Sequence, residues 1–187
     1  MPAPQRQIVL VSGAPGAGKS TLAGPLAAEL GFALLSKDII KEALWDAVNP
    51  PAGDRPWSRR LGGAAMEVLW ALAARSPRAV LEANFRPHSA YERGRILGLG
   101  AAVAEVYCDC PPDEAARRYA VRGAGPDRHP AHVVAVLAPD YYVEYDRPMG
   151  IGTVIRVDTT HPVDVRSLAE RLRPVFSDGA SGRPLLE

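Results

Sequence analysis

No stretch of this 187-residue sequence approaches the length of apolar chain that spans a membrane. The opening, MPAPQRQIVLVSG, holds only four consecutive apolar residues, too few for the core of a signal peptide, so a cytoplasmic location is expected. Charge of one sign is missing as well. A formal net charge of +1 does not suit a protein whose main business is coating nucleic acid, although a local basic patch stays compatible with it. Cysteine is scarce. Cys108 and Cys110 stand in VYCDC, and this spacing puts both on one face of a strand, poorly placed to bond each other. No second Cys or His pair follows at zinc spacing, so two reduced, mostly buried thiols are expected. Lysine is scarcer than arginine: of 22 basic residues only Lys19, Lys37 and Lys41 are lysines, all within 23 residues of one another. Positions that keep lysine in such a chain suit a compact point charge better than a planar fork. Internal repeats and linkers are also lacking. One domain over residues 1–176 is expected, with a frayed tail at 177–187.

What is present is an alternation of strand and helix. QIVLVS (7–12) is a continuous apolar run, as in a parallel strand covered on both faces. Leu22, Leu26 and Leu30 mark a helix over 18–30, with Pro25 inside it. Further strands are predicted at 32–36, 78–85, 101–110 and 151–158. Helices are predicted at 37–48, 57–75, 88–100, 112–123, 131–144 and 162–176. The pattern reads as an α/β fold, a doubly wound, five-stranded parallel sheet. Ligands of such sheets sit beyond the carboxyl ends of the strands.

The first strand ends there in GAPGAGKST. Gly13, Gly18, Lys19 and Ser20 satisfy G-x-x-x-x-G-K-[ST], between a strand and a helix as the motif requires. Backbone N–H groups must curl around a phosphate, which needs glycine at strained positions, and the helix start adds free N–H groups. The loop Gly13, Ala14, Pro15, Gly16, Ala17, Gly18, Lys19, Ser20, Thr21 is therefore expected to hold ATP. Lys19 would reach the outer phosphates and the Ser20 hydroxyl would ligate Mg2+.

Transfer of a phosphoryl group also needs a base and further cations. Asp38 stands at the end of the second strand, with Lys41 one turn on, and the two could hold an acceptor hydroxyl between an acid and a cation. Glu82 closes the third strand, where a buried carboxylate needs a partner: a metal-bound water or an acceptor hydroxyl. Asn84 and Arg86 follow on the same edge and are taken as acceptor contacts. Arg118 and Arg122 share a helical face and run into the breaker-rich loop GAGPDRHP, a short lid able to bring positive charge over the phosphates. His129 and His132 read as structural, and Trp45, Trp57 and Trp70 as packing.

The segments GAPGAGKST, SKDIIK, VLEANF and CDCPPDEAARRYAVR followed by RHP together resemble the small P-loop kinases of the zeta-toxin, chloramphenicol phosphotransferase and polynucleotide-kinase type, an AAA-type kinase family. The likeness runs from about residue 7 to 173. It implies strand order 2-3-1-4-5, Asp38 as the base, and Arg118 and Arg122 as lid arginines on the transferred phosphate. Lys41 stands where many relatives have arginine. The resemblance also implies that VDTTHP (157–162) lines the adenine pocket through its backbone and Thr159.

The expected activity is transfer of the γ-phosphate of ATP, with Mg2+, to a hydroxyl of a small molecule such as an antibiotic, nucleoside or sugar nucleotide, by a monomer or homodimer. A 5′-hydroxyl kinase of nucleic acid is an alternative, with Arg55, Arg59, Arg60 and Arg86 as a possible channel. A nucleotide switch without acceptor is another. Against the switch, no N-K-x-D segment reads guanine, and no apolar run ends in the Asp-Glu pair of mechanical ATPases.

Overall fold

The computed structural model describes residues 5–126 and 128–177. The expected tail from 178 onward lies outside the described residues; Ser177 is the last residue of a helix. Five strands, β1 (Gln7–Ser12), β2 (Ala33–Ser36), β3 (Arg78–Glu82), β4 (Ala102–Asp109) and β5 (Thr153–Asp158), form one parallel sheet in the order β2-β3-β1-β4-β5, as expected. The helices are α1 (Lys19–Leu30), α2 (Lys37–Val48), α3 (Arg55–Ala73), α4 (Ala90–Leu97), α5 (Pro112–Gly123) and α6 (Val165–Ser177).

Period-two alternation splits the central strands between two cores. Val9, Val11, Ala104 and Val106 face Leu22 and Leu26 of α1 and Leu168 and Leu172 of α6. Ile8, Leu10, Ala79 and Leu81 face Leu69 and Trp70 of α3 and Ile96 of α4. A third, smaller core lies at the carboxyl edge of the sheet. There Trp45 of α2 and Leu61 of α3 enclose Ala131, with Leu44, Trp57 and Val133 packed around them.

That small core explains a correction. Residues 131–144 do not form one helix; only Pro139–Tyr145 is regular, as a short 3-10 helix. Pro130 and Pro139 interrupt the backbone donors. Ala131 and Val133 are drawn into the third core in a non-helical strap, so tertiary packing overrides helix propensity. The third strand is also shorter than 78–85. Its partners on either side, Ser36 and Val11, both pair last with Glu82, and the ladder ends there.

Candidate active site

The phosphate loop departs from β1 with three left-handed glycines, Gly13 (φ 132°), Gly16 (φ 83°) and Gly18 (φ 84°). The neighbours allow nothing larger. A Cβ on Gly16 would lie 2.0 Å from the Ala115 carbonyl oxygen, and one on Gly13 would lie 2.8 Å from that of Cys108. Gly18 caps α1 without a side-chain bond, so the first N–H groups of α1 remain for a ligand. Lys19 is buried, and its Nζ donates to the Ala14 carbonyl oxygen at 2.7 Å. Burial pulls its pKa below the ordinary lysine value, and the charges of Glu82 and Asp38 partly counter this. A glycine cradle, open helix N–H groups and an enclosed ammonium group together fit a polyphosphate.

Glu82 is the centre of the arrangement. It is 3% exposed, and its two oxygens take two different hydroxyls: Ser20 Oγ donates to Oε1 at 3.1 Å and Ser36 Oγ to Oε2 at 2.5 Å. Ser36 also caps α2, accepting from the Ile39 N–H at 3.5 Å. One carboxylate thus ties the start of α1 to the start of α2. A hydroxyl beside a carboxylate is a donor set that suits Mg2+ with its waters. Among the described residues no group of three or more His, Cys, Asp or Glu side chains could hold a metal ion.

Asp38 lies in the first turn of α2, half-buried and 2.9 Å from Lys37 Nζ. Burial pushes its carboxyl pKa up, but Lys37, with help from His132 and Lys19, outweighs that and holds it below the ordinary aspartate value. The carboxylate is therefore ionised at neutral pH, and it stands within the electrostatic reach of Lys19.

Lys41 is on the same helix but reaches elsewhere. It is 7% exposed, and its Nζ donates to Ser58 Oγ and to the Ala131 carbonyl oxygen, each at 2.8 Å. Ser58 donates to the same carbonyl at 2.7 Å. Among the described residues no carboxylate lies within salt-bridge distance of Lys41. Burial lowers its pKa to about 8. Two further contacts hold the strap to α2: His129 with Asp46 at 3.2 Å and His132 with Glu42 at 2.8 Å. On the other side Tyr119 of α5 donates to the Val134 carbonyl oxygen at 2.9 Å. The segment expected to be a lid is thus anchored to both α2 and α5 through its return half.

The two lid arginines have different surroundings. Arg118 is fixed: Nε pairs with Glu114 at 2.6 Å, and its Nη groups donate to the carbonyl oxygens of Thr159 and Thr160 at 2.8 and 3.2 Å. Thr159 is buried. Its N–H donates to the Asp109 carbonyl oxygen at 3.1 Å, and its Cβ lies 3.6 Å from where a Cβ of Gly18 would be. Arg118 and Thr159 therefore frame the side of the phosphate loop. Arg122 is exposed, stands 5.8 Å over the Tyr119 ring and adds to the positive field at Lys19. Among the described residues it has no salt-bridge partner. Arg86 pairs with the buried Glu92, Nε to Oε1 at 2.8 Å, so its charge is already met, while Asn84 is half-buried in the loop after β3.

Cys108 is buried and Cys110 half-buried, both free, as expected. Sequence reasoning passed over Ser36, Ser58 and Glu105. A serine just before a helix signals a cap, but its bond to Glu82, 46 residues away, leaves no local trace. Glu105 is fully buried and structural. It accepts from Ser12 Oγ at 2.5 Å and from the N–H groups of Met149 and Gly150 at 2.8 and 2.9 Å.

A family model described as an AAA domain matches residues 8–138, well over half of the chain. The chain belongs to this AAA domain family. A candidate kinase of Chloroflexus aurantiacus J-10-fl is 30% identical, with 91% of this chain and 98% of that one covered and a TM-score of 0.79. Two more distant structures share the fold. Shikimate kinase from Acinetobacter baumannii, in complex with shikimate, is 17% identical over 95% of this chain and 96% of its own, with a TM-score of 0.53. The APS kinase CysC of Mycobacterium tuberculosis, in complex with AMPPNP and APS, is 19% identical over 93% and 99%, with a TM-score of 0.51. No curated protein matches the chain in sequence. By family and fold the chain is a P-loop kinase. Among the described residues no helix is long and apolar enough to cross a membrane.

Proposed function

We propose that this chain transfers the γ-phosphoryl group of ATP to a hydroxyl of a small-molecule acceptor, in the manner of the zeta-toxin and chloramphenicol phosphotransferase branch. The observation that carries the reading is the pair of hydrogen bonds that Glu82 accepts, one from Ser20 and one from Ser36. It fixes the start of α2, and with it Asp38, against the start of the phosphate loop helix. An ionised carboxylate near Lys19 can orient an acceptor hydroxyl and take its proton as the new P–O bond forms. Lys19 and the N–H groups of the loop bind the phosphates, and Arg122 supplies positive charge from the lid. Arg118 and Thr159 shape the nucleoside side. Ser20, with Glu82 through water, would hold Mg2+, which would supply positive charge to neutralise the charge developing on the phosphates. Lys37, not Lys41, is the cation in direct contact with Asp38. Arg86 is paired with Glu92 and Arg60 is stacked 5.0 Å from the Trp57 ring centroid, which leaves little of a strand-binding channel.

ADP release across a panel of antibiotics, nucleosides, sugar nucleotides and a short 5′-hydroxyl oligonucleotide tests the proposal. A hit should fall at least about a hundredfold in Asp38→Asn, the low end for removing a general base, with affinity for Mg·AMPPNP unchanged within a few-fold. Loss of nucleotide binding in that variant would assign Asp38 to the nucleotide or metal site and refute the mechanism.

A further inference from the structure

A cavity of about 560 Å3 lies apart from the phosphate loop, between the loop that follows β3 and the connector into β5. Its lining comprises Pro87, His88, Arg93 and residues 147–150, and no carboxylate is among them. A smaller cavity of about 290 Å3, lined by Arg86, His88, Ser89 and Glu144, shares His88 with it. The two share His88 and are read together as one groove; Arg86, in the lining of the smaller cavity, follows Glu82 by four residues in the loop after β3.

The charge in this groove is only partly met. Arg93 is half-buried, one Nη donates to the Met149 carbonyl oxygen, and no carboxylate lies within salt-bridge distance among the described residues. Arg147 Nη2 is 3.1 Å from His88 Nδ1, and His88 Nε2 is 3.1 Å from Asp146 Oδ1. A guanidinium only donates, so Nδ1 accepts and the ring proton sits on Nε2, facing Asp146. Asp146 is engaged by the ring and not by either arginine. Glu144 and the Arg86–Glu92 pair belong to the smaller cavity. Two guanidinium groups with spare donors in one cavity suit a tetrahedral oxyanion, since each can bind two of its oxygens.

We propose that this groove binds the phosphate group of a phosphorylated acceptor, so that the acceptor is held at its anionic end by Arg93 and Arg147. The acceptor half of this statement rests on the kinase reading above; the anion site does not.

The test uses the full chain saturated with Mg·AMPPNP, which fills the phosphate loop, titrated with inorganic phosphate. Amide resonances of His88, Arg93, Arg147 and Gly150 report binding. Saturable shifts at these positions are expected. Arg147→Ala, at an exposed position, should weaken them about tenfold, the loss of a charge-assisted hydrogen bond, with AMPPNP affinity unchanged. Arg93→Ala should do the same, and Arg147→Glu should abolish them. Absence of saturable shifts, or equal binding in the Arg147 variants, overturns the site. In a second arm, nucleosides and their 5′-monophosphates are compared as acceptors. A rise in KM for the phosphorylated member alone in Arg147→Ala supports the acceptor assignment. Unchanged KM values with phosphate binding intact would move the site to a separate effector and overturn it. Phosphate binding without turnover of any acceptor would leave the anion site standing and count against the kinase reading alone.

Discussion

Lys41 offers the sharpest physical test of the strap. The residue is 7% exposed, and among the described residues its ammonium group bonds only to neutral oxygens, those of Ser58 and Ala131. Burial, with Lys37 and Arg128 adding repulsion against the attraction of Asp38 and Glu42, brings its pKa from 10.5 to about 8. The unfolded chain keeps that proton up to about pH 10.5, whereas the folded chain releases it near 8. Between these values the unfolded state binds more protons, so this group makes stability rise with pH. Below pH 8 both states are protonated, and the cost of burying the charge is fully present. The gap amounts to at most about 3 kcal/mol, at roughly 1.4 kcal/mol per pH unit. Lys41→Met keeps the volume and removes the charge, which is neutral or stabilising for many buried ions. Urea unfolding at pH 7 and pH 10 should therefore show the unmutated chain gaining about 2–3 kcal/mol on Lys41→Met across that interval. Other groups, including Cys108, titrate in both proteins and cancel in the difference. Parallel stability curves for the two proteins from pH 7 to 10 would refute the burial argument.

Two further outcomes follow from packing. Gly16→Ala places a Cβ 2.0 Å from a backbone oxygen at φ 83°, so nucleotide affinity should be lost and stability should drop by more than about 1 kcal/mol, seen by calorimetry and AMPPNP binding. Burial pushes the Cys108 thiol up to about 12, so at pH 8 the native protein should react with a thiol reagent at Cys110 alone, slowly, and at both cysteines only after unfolding.

Much of the fold was readable because its signals are local. The predicted α2, 37–48, matches the observed helix, with Ser36 as cap before it and a left-handed Asn49 after it. The predicted α5, 112–123, starts at a proline with acids in its first turn and also matches. The phosphate loop is legible for the same reason: its chemistry is contiguous. The strap was misread because its conformation is set by Trp45 and Leu61, far away in sequence. Lys41 showed its position on α2, but its partner carbonyl lies 90 residues further on, and no periodicity encodes that contact. The ends of β3 were blurred because apolar residues continue past Glu82 into Ala83 and Phe85, which are buried in the core without extending the ladder.

The bonds from Ser20 and Ser36 to one carboxylate also bear on how such a protein could change its substrate. The span between the phosphate loop and Asp38 is set by three side chains: Ser20, Glu82 and Ser36. The walls that would meet an acceptor are built separately, from the outer turns of α2, from α3 and from the loop after β3. Those walls could be rewritten residue by residue for a molecule of another shape while the distance over which phosphate travels is inherited unchanged.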